Sequence, residues 1–378
     1  MIISILGTRG IPACHGGFET FAEHLSLFLS NRGHKVTVYC QNPVKGPIHE
    51  DEWNGIRRVM VYGAASPVGT IRFDLASAIH ACKEPGIVLT LGYNTAVFSI
   101  LYRLLGKTSL MNMDGLEWRR EKWTRMQRLW LRFNERAGAA LSNHLIADHP
   151  EIGEYLSRFA PEGKISVIPY ESEPVSSADS ALLSPFGVSP GNYVLVVARP
   201  EPENSVLEIV EAFSRRRRGF KMVVLGCYYP AVRDYHRRVM EAAGPEVQFA
   251  GAIYDVDVVH ALRFFTRAYI HGHRVGGTNP SLVESLAAGN PIVVHDNQFT
   301  RWVAGSEQQF FSGAQDLAAI LDRVLNDEAE LARMAAASRK RHRNYFAPEN
   351  VLPVYEDLLE RFEEQEVHVT SATAPGYD

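Results

Sequence analysis

Short apolar runs alternate with helix-compatible segments along most of the chain. IISIL (2–6), KVTVYC (35–40), RRVMVYG (57–63), GIVLTLG (86–92), TSLMNMD (108–114), HLIAD (144–148) and KISVIPY (164–170) are near-continuous and rich in β-branched and aliphatic residues. Such runs predict parallel strands buried on both faces, unlike the strict alternation of a half-solvated sheet. The pattern stops at SEPVSSADSALLSPFGVSPG (172–191), where Ser and Pro replace hydrophobic periodicity and a linker is expected. It resumes with VLVVA (194–198), KMVVLG (221–226), VQFAG (247–251), AYIHG (268–272) and PIVVHD (291–296). The predicted fold class is therefore α/β, with two Rossmann-like doubly wound domains: residues 1–172, a linker over 173–190, and residues 191–346. APENVLPVYEDLLERFEEQ (347–365) carries Val351, Val354, Tyr355, Leu358, Leu359 and Phe362 at helical spacing after a proline, and predicts one more helix, with 366–378 as a disordered tail.

Length and composition narrow the class without naming a chemistry. A chain of 378 residues with 46% hydrophobic and 22% charged residues suits two globular domains. A formal net charge of -4 offers no global attraction for nucleic acid. Cys14, Cys40, Cys82 and Cys227 are scattered and form no C-x-x-C pair, which suits a reducing compartment. No apolar span reaches the roughly 18 residues of a membrane helix, and no basic segment precedes a cleavable apolar one. A cytoplasmic protein is expected.

Two glycine-containing segments carry candidate chemistry. GTRGIPACHGGFETF (7–21) places Gly16 and Gly17 before a predicted helix from Phe18, where exposed backbone N–H groups at a positive helix end suit a phosphate. Its spacing matches neither G-x-G-x-x-G nor a P-loop, so on the glycines alone a structural turn, shaped by Gly7 and Gly10, is the stronger reading. YIHGHRVGGTNPSLVESLAAGNPIVVHD (269–296) is sharper: a strand, a loop with His271, His273, Arg274, Gly276 and Gly277, then a helix from Pro280 bearing Ser281 and Glu284. That helix start can take a diphosphate, with Arg274 or the histidines adding positive charge, while a carboxylate one turn on can accept from a sugar hydroxyl. YDVDVV (254–259) contains D-x-D, but Asp255 and Asp257 stand at a helix start and read as caps rather than metal ligands. The histidines show no metal-ligand spacing.

The second segment resembles the nucleotide-sugar site of retaining glycosyltransferase family 4, a GT-B fold. That family's usual signature is a Glu, seven residues, then a second Glu before A-A-G-x-P. Glu284 with SLAAGNP matches the second half, whereas Gly276 stands where the first Glu would be. GTRGIPACHGGFETFAEHL, GYNTAVFS, MNMDGLEW, ARPEPENSVLEIVEAF and VGGTNPSLVES together resemble its rhamnosyltransferase-like branch, over residues 1 to 345. The resemblance implies two domains facing across a cleft, with the C-terminal helix returning to the first. Glu284 would bind the nucleotide ribose; Gly276, Gly277, Thr278, Asn279, Pro280 and Ser281 would cradle the diphosphate; Gly16 and Gly17 would close over the donor. The loop ending at Tyr254 would touch the base. Many relatives carry an Arg and then a Lys after the first strand of the second domain; here Arg199 fills the first position and Asn204 the second. With one cation missing, Arg199, Arg9, Arg274 and His273 are the candidates to meet charge on the leaving diphosphate.

Catalysis in such enzymes is described as front-face displacement without metal or cofactor, the leaving phosphate helping to take the acceptor proton. The resemblance carries acceptor or donor handling onto Asp114, Arg119 and Glu203, with Glu117 beside them; helix capping by Asp114 is the alternative. EWRREKWTRMQRLWLRFNER (117–136) interleaves Lys and Arg with Trp118, Trp123, Trp130 and Phe133, a basic aromatic helix suited to an anionic membrane surface, or else a solvated face whose aromatics lie in the core. The predicted function is transfer of L-rhamnose from dTDP-L-rhamnose, a co-substrate, to a lipid-linked or oligosaccharide acceptor in bacterial surface polysaccharide synthesis, at the inner face of the cell membrane. A UDP- or GDP-hexose donor, or a non-catalytic sugar-nucleotide-binding protein, are the alternatives.

Overall fold

The computed structural model describes residues 1–13 and 16–372. The chain divides into two compact units. One holds residues 1–118, 125–169 and 351 onward; the other holds 119–124 and 170–350.

Among the described residues the first unit is built on an eight-stranded sheet of order β3-β4-β2-β1-β5-β6-β7-β8. Its strands are β1 (Ile2–Leu6), β2 (Lys35–Asn42), β3 (His49–Trp53), β4 (Ile56–Tyr62), β5 (Ile87–Leu91), β6 (Ser109–Asn112), β7 (His144–Ala147) and β8 (Ile165–Val167). The helices are α1 (Gly17–Asn31), α2 (Pro67–Ala81), α3 (Ser99–Leu104), α4 (Arg125–Leu141) and α5 (Pro150–Ser157). All pairings are parallel except β3 with β4, a hairpin turned at Asn54 (φ 48°) and Gly55 (φ 78°). An Asn-Gly pair with two positive φ values is the turn whose twist matches a hairpin, so β3 was signalled at 54–55 although its residues, HEDEW, are too polar to read as a strand.

The second unit is a six-stranded parallel sheet of order β11-β10-β9-β12-β13-β14. Its strands are β9 (Tyr193–Val197), β10 (Lys221–Leu225), β11 (Val247–Gly251), β12 (Ala268–His271), β13 (Ile292–His295) and β14 (Gln309–Phe311). The helices are α6 (Val206–Ser214), α7 (Asp234–Glu241), α8 (Val256–Phe264), α9 (Pro280–Ala287), α10 (Gln298–Ala304), α11 (Ala314–Val324) and α12 (Glu328–Tyr345). Along β9 the side chains sort by parity. Val194 and Val196 join Ile209, Phe213, Met222 and Val224 in one core, while Tyr193 and Leu195 join Val223, Leu262, Val283 and Ile292 in the other. Both faces are thus covered, which is why the strand runs are continuously apolar.

Two expectations change in detail. Ser180–Phe186, inside the span read as a linker, is a 3-10 helix whose Leu183 is buried in the same core as Tyr193 and Leu195. The final helix α13 runs from Pro348 to Ala372, longer than 347–365. The end of the expected disordered tail, 373–378, lies outside the described residues. From Val351 onward α13 belongs to the first unit. Arg32 Nε donates to Glu356 Oε1 at 2.7 Å, His34 Nε2 lies 2.7 Å from the same oxygen, and Asn112 Nδ2 donates to the Tyr355 hydroxyl at 2.9 Å.

If Ser180–Phe186 is part of the second unit, Leu183→Ala should cost about 2–4 kcal/mol of its stability through lost burial and an unfilled cavity. Urea unfolding followed by tryptophan fluorescence checks this; an unchanged midpoint would show that the segment packs loosely.

Candidate active site

In an open parallel sheet the crevice for a ligand opens where neighbouring strands send their connections to opposite sides. In the second unit that point lies between β9 and β12, paired through Ala268 with Val194 and Tyr269 with Leu195. The loops leaving these two strands carry Arg199, Glu203 and the segment His271–Ser281.

After β9 the chain makes a 3-10 turn, Pro202–Asn204. Asn204 Nδ2 donates to the Arg199 carbonyl at 2.8 Å, and the Arg274 amide donates to the Glu203 carbonyl at 2.9 Å, tying the two loops together. Gly272 permits this approach: a Cβ there would lie 2.3 Å from the Asn204 carbonyl oxygen. Glu203 is only 3% exposed, yet among the described residues neither carboxylate oxygen has a hydrogen-bond partner, and Asn204 Oδ1 has none either. An unpaired buried carboxylate is costly in isolation and marks a place for a ligand's hydroxyl or N–H. Arg199 itself is exposed.

After β12 the His271 and His273 rings stack, with centroids 4.3 Å apart and planes 12° from parallel. His271 Nε2 and His273 Nδ1 have no partner among the described residues. Burial, aided by the charge of His295, pushes the His271 pKa down to about 3. Burial, then His271 and the cations Arg120 and Arg199, pushes His273 well below the usual imidazole value. Both rings are therefore neutral at pH 7. This corrects the expectation that His273 adds positive charge: it offers a neutral ring donor or acceptor. Arg274 also differs from expectation, since its guanidinium is engaged by Glu208 and, at 2.8 Å, by Ser205 Oγ.

Beyond Arg274 the loop borders a shallow, partly open pocket that His271, His273, Gly276, Gly277, Asn279 and Asn297 help to line. Thr278 is buried. Asn279 Oδ1 accepts from the Ser281 amide at 3.0 Å and caps α9, with Pro280 as its first residue. One turn into α9, Glu284 pairs with the buried Arg263 at the end of α8. Tyr254 is 71% exposed and follows β11, two strands away from β9. Asp255 caps α8, accepting from the amides of Asp257 (3.1 Å) and Val258 (3.2 Å).

In the first unit the reversal lies between β1 and β5. Gly7 turns the chain off β1 at φ 84°, where a Cβ would lie 2.1 Å from the Leu91 carbonyl oxygen. Arg9 is exposed. Gly16 precedes α1 as its N-cap and, having no side chain, makes no side-chain cap bond, and Gly17 opens the helix. The start of α1 is not free of negative charge, however. Glu19 is buried in its first turn, and Glu23 accepts from the Ala13 amide at 2.6 Å. Two carboxylates here oppose a dianion and weaken the phosphate reading of the opening glycines.

Asp114 follows β6 with φ 50°, a left-handed conformation sparsely used by residues other than glycine. Asn112 Oδ1 holds it by accepting its amide proton at 2.9 Å, and Asn112 is held in turn by Tyr355. The next α-helix starts only at Arg125, after the 3-10 turn Glu117–Arg119. Glu117 donates its amide to the Tyr93 hydroxyl at 2.9 Å. Arg119 is exposed, ends the 3-10 turn Glu117–Arg119, and is counted with the second unit.

The stretch 117–136 is thus not one helix. Trp118 donates to Glu135 Oε1 at 3.0 Å and stacks under Arg132, whereas Met126, Leu129, Trp130 and Phe133 form an exposed stripe along α4. Glu208, Arg263 and Asn112, which the sequence left unmarked, act through partners distant in the chain, and no local spacing announces them.

Residues 187–341 match the family model described as glycosyl transferases group 1, and residues 2–173 match a domain of unknown function, DUF1972. Among curated proteins none matches. Among solved structures the chain is similar to sucrose-phosphate synthase from Thermosynechococcus elongatus (16% identity, 95% of this chain and 98% of that one, TM-score 0.77). It is also similar to Anabaena HepE in complex with UDP-glucose (14% identity, 98% and 99%, TM-score 0.72). A third is α,α-trehalose 6-phosphate synthase from Burkholderia multivorans (12% identity, 100% and 99%, TM-score 0.72). The chain has the GT-B fold: two parallel-sheet Rossmann-like domains. It carries a group 1 glycosyltransferase domain over residues 187–341 and is a glycosyltransferase.

The neutral histidines have a stability consequence. An imidazole whose folded pKa is depressed resists protonation that the unfolded chain accepts, so stability is full above about pH 6.5 and falls as the pH drops from there toward 3. His271→Gln should flatten the dependence of unfolding free energy on pH between 6 and 4 by about 1.4 kcal/mol per pH unit. Urea titrations at several pH values check this, and equal slopes in the two proteins would refute it.

Proposed function

We propose that the protein transfers L-rhamnose from dTDP-L-rhamnose to a lipid-linked glycan acceptor in bacterial surface polysaccharide synthesis, with retention at the anomeric carbon and without a metal ion. The observation that carries the donor reading is the set of unmatched polar groups where β9 and β12 diverge. Glu203, Asn204, His271 and His273 all have hydrogen-bonding atoms without partners among the described residues. A hydroxyl-rich, diphosphate-bearing ligand supplies what they lack. The sugar rests on the resemblance of the sequence motifs. Asp255, part of the D-x-D pair, already caps a helix, which favours electrostatic stabilisation of the leaving group by Arg199.

In the proposed step the bond from the anomeric carbon to the diphosphate oxygen breaks while a bond to the acceptor oxygen forms on the same face. The acceptor proton passes to the departing phosphate. Asp114, held in its left-handed conformation by Asn112, is the residue proposed to orient the acceptor hydroxyl. A UDP-hexose donor is the second reading, favoured by the similarity to a structure that holds UDP-glucose.

No helix among the described residues is long and apolar enough to cross a membrane. The exposed stripe on α4, flanked by the exposed Arg125, Arg132 and Arg136, supports a surface contact with anionic lipid, where a lipid-linked acceptor is presented.

Nucleotide release with a lipid-linked acceptor extract is expected to be faster from dTDP-L-rhamnose than from UDP- or GDP-hexoses. Asp114→Asn should retain dTDP affinity but lose about 100-fold or more in transfer. A faster UDP-hexose reaction would replace the sugar assignment, and full activity of the variant would remove Asp114 from the mechanism. In vesicle sedimentation, Trp130→Ala with Phe133→Ala should weaken binding to anionic vesicles about tenfold. Binding that ignores both lipid charge and these substitutions would end the membrane reading.

A further inference from the structure

We propose that α2 and α3 join α4 in one lipid-facing surface, so that the first unit meets an anionic bilayer with a layer of three helices rather than with α4 alone. The proposal deepens the membrane reading of α4 above and rests on it.

Strand order places these helices side by side. The crossovers β4-α2-β5, β5-α3-β6 and β6-α4-β7 all run in one direction along the sheet, whereas β1-α1-β2 runs in the other. Right-handed connections therefore lay α2, α3 and α4 on one face of the sheet and α1 on the opposite face. Within that layer α3 packs against both α2 and α4. On α2, Val68, Leu75 and Ile79 are exposed at positions i, i+7 and i+11, which is a single stripe. Ile100 and Leu104 carry the apolar surface across α3, and Leu105 follows at its end, with Leu104 75% and Leu105 64% exposed. Beside them lies the α4 stripe of Met126, Leu129, Trp130 and Phe133. Single exposed apolar residues are ordinary, but a run of them over three adjacent helices marks an interaction surface.

Charge decides the occupant. The exposed charged side chains of α2, α3 and α4 are Arg72, Arg103, Arg125, Arg132 and Arg136, all of one sign. The two carboxylates on these helices are turned inward: Asp74 accepts from Thr95 Oγ1 at 2.8 Å, and Glu135 is 2% exposed and accepts from Trp118 and Tyr155. On the opposite face the balance reverses. α1 carries no Lys or Arg, and α13, which meets α1 through the rings of Tyr355 and Phe21 (centroids 4.9 Å apart), exposes Asp357, Glu360 and Glu364 against Arg361. In a chain of net charge -4 this separation turns the α2–α4 face toward anionic lipid, where arginine stems lie along the acyl boundary and their heads meet phosphate. A second copy is the poorer fit, because pairing this face with itself brings the arginines of two chains together.

Sedimentation of the full chain with vesicles of phosphatidylcholine, alone or mixed with phosphatidylglycerol, tests the inference. The unmodified protein should bind the anionic vesicles about tenfold or more tightly than the neutral ones. Leu104→Ser with Leu105→Ser should weaken binding to anionic vesicles about tenfold or more. Arg72→Gln with Arg103→Gln should weaken it about tenfold. All four side chains are exposed, so circular dichroism should be unchanged in both variants, and a loss of folded signal in one leaves the other to decide. If either folded variant binds as the unmodified protein does while Trp130→Ala with Phe133→Ala weakens binding, the inference fails and the membrane reading of α4 stands. If the unmodified protein binds neither vesicle, both fail together. Equal binding to neutral and anionic vesicles overturns the charge argument and the inference with it. A lipid-independent dimer in sedimentation velocity, lost on Leu104→Ser with Leu105→Ser, would assign the face to a second copy and also overturn it.

Discussion

Each sheet buries both faces, and this forces its connections to change sides once, between β1 and β5 in the first unit and between β9 and β12 in the second. At that reversal no helix covers the strand ends. Backbone and side-chain polar groups there must find partners among the loops themselves or in a ligand. The loops after β9 and β12 do part of this, through Asn204 with Arg199 and Arg274 with Glu203, and Gly272 lets the backbones approach closely enough. What they leave unpaired, chiefly the Glu203 carboxylate and one nitrogen on each of two stacked imidazoles, defines the candidate site.

The electrostatics of that site are less positive than a list of its basic residues suggests. His271 and His273 are kept neutral by burial, and Arg274 is taken up by Glu208 and Ser205. Glu284 is likewise committed in part, to Arg263. Arg199 is exposed, and the capped start of α9 adds its dipole. The polar atoms left unmatched around the loops after β9 and β12 among the described residues are thus those of neutral imidazoles, an amide and the Glu203 carboxylate rather than an accumulation of positive charge.

Much of the fold is legible because its signals are local. Continuous apolar runs mark buried strands, and Pro280 and Asn279 mark the start of α9. The exceptions have equally physical causes. β3 is hidden because an edge strand needs no apolar face, and its hairpin is betrayed only by Asn54–Gly55. Ser180–Phe186 has a linker's composition, but Leu183 is buried in the core and Leu182 and Phe186 pack against it. The basic stretch 117–136 reads as one helix because charge and aromatic spacing persist through it, yet α4 begins only at Arg125.

The sequence by itself determined the two-domain α/β architecture and the motif positions, since periodicity and capping act over a few residues. Only the tertiary structure decided which charges are available. Arg274 lies 66 residues from Glu208, and Arg263 packs against Glu284 from a neighbouring helix. Asp114 takes its conformation from Asn112, which is anchored by Tyr355 at 243 residues' remove. Ion pairing and burial depend on separation in space and on access of water, and neither is written in the spacing of residues along a chain.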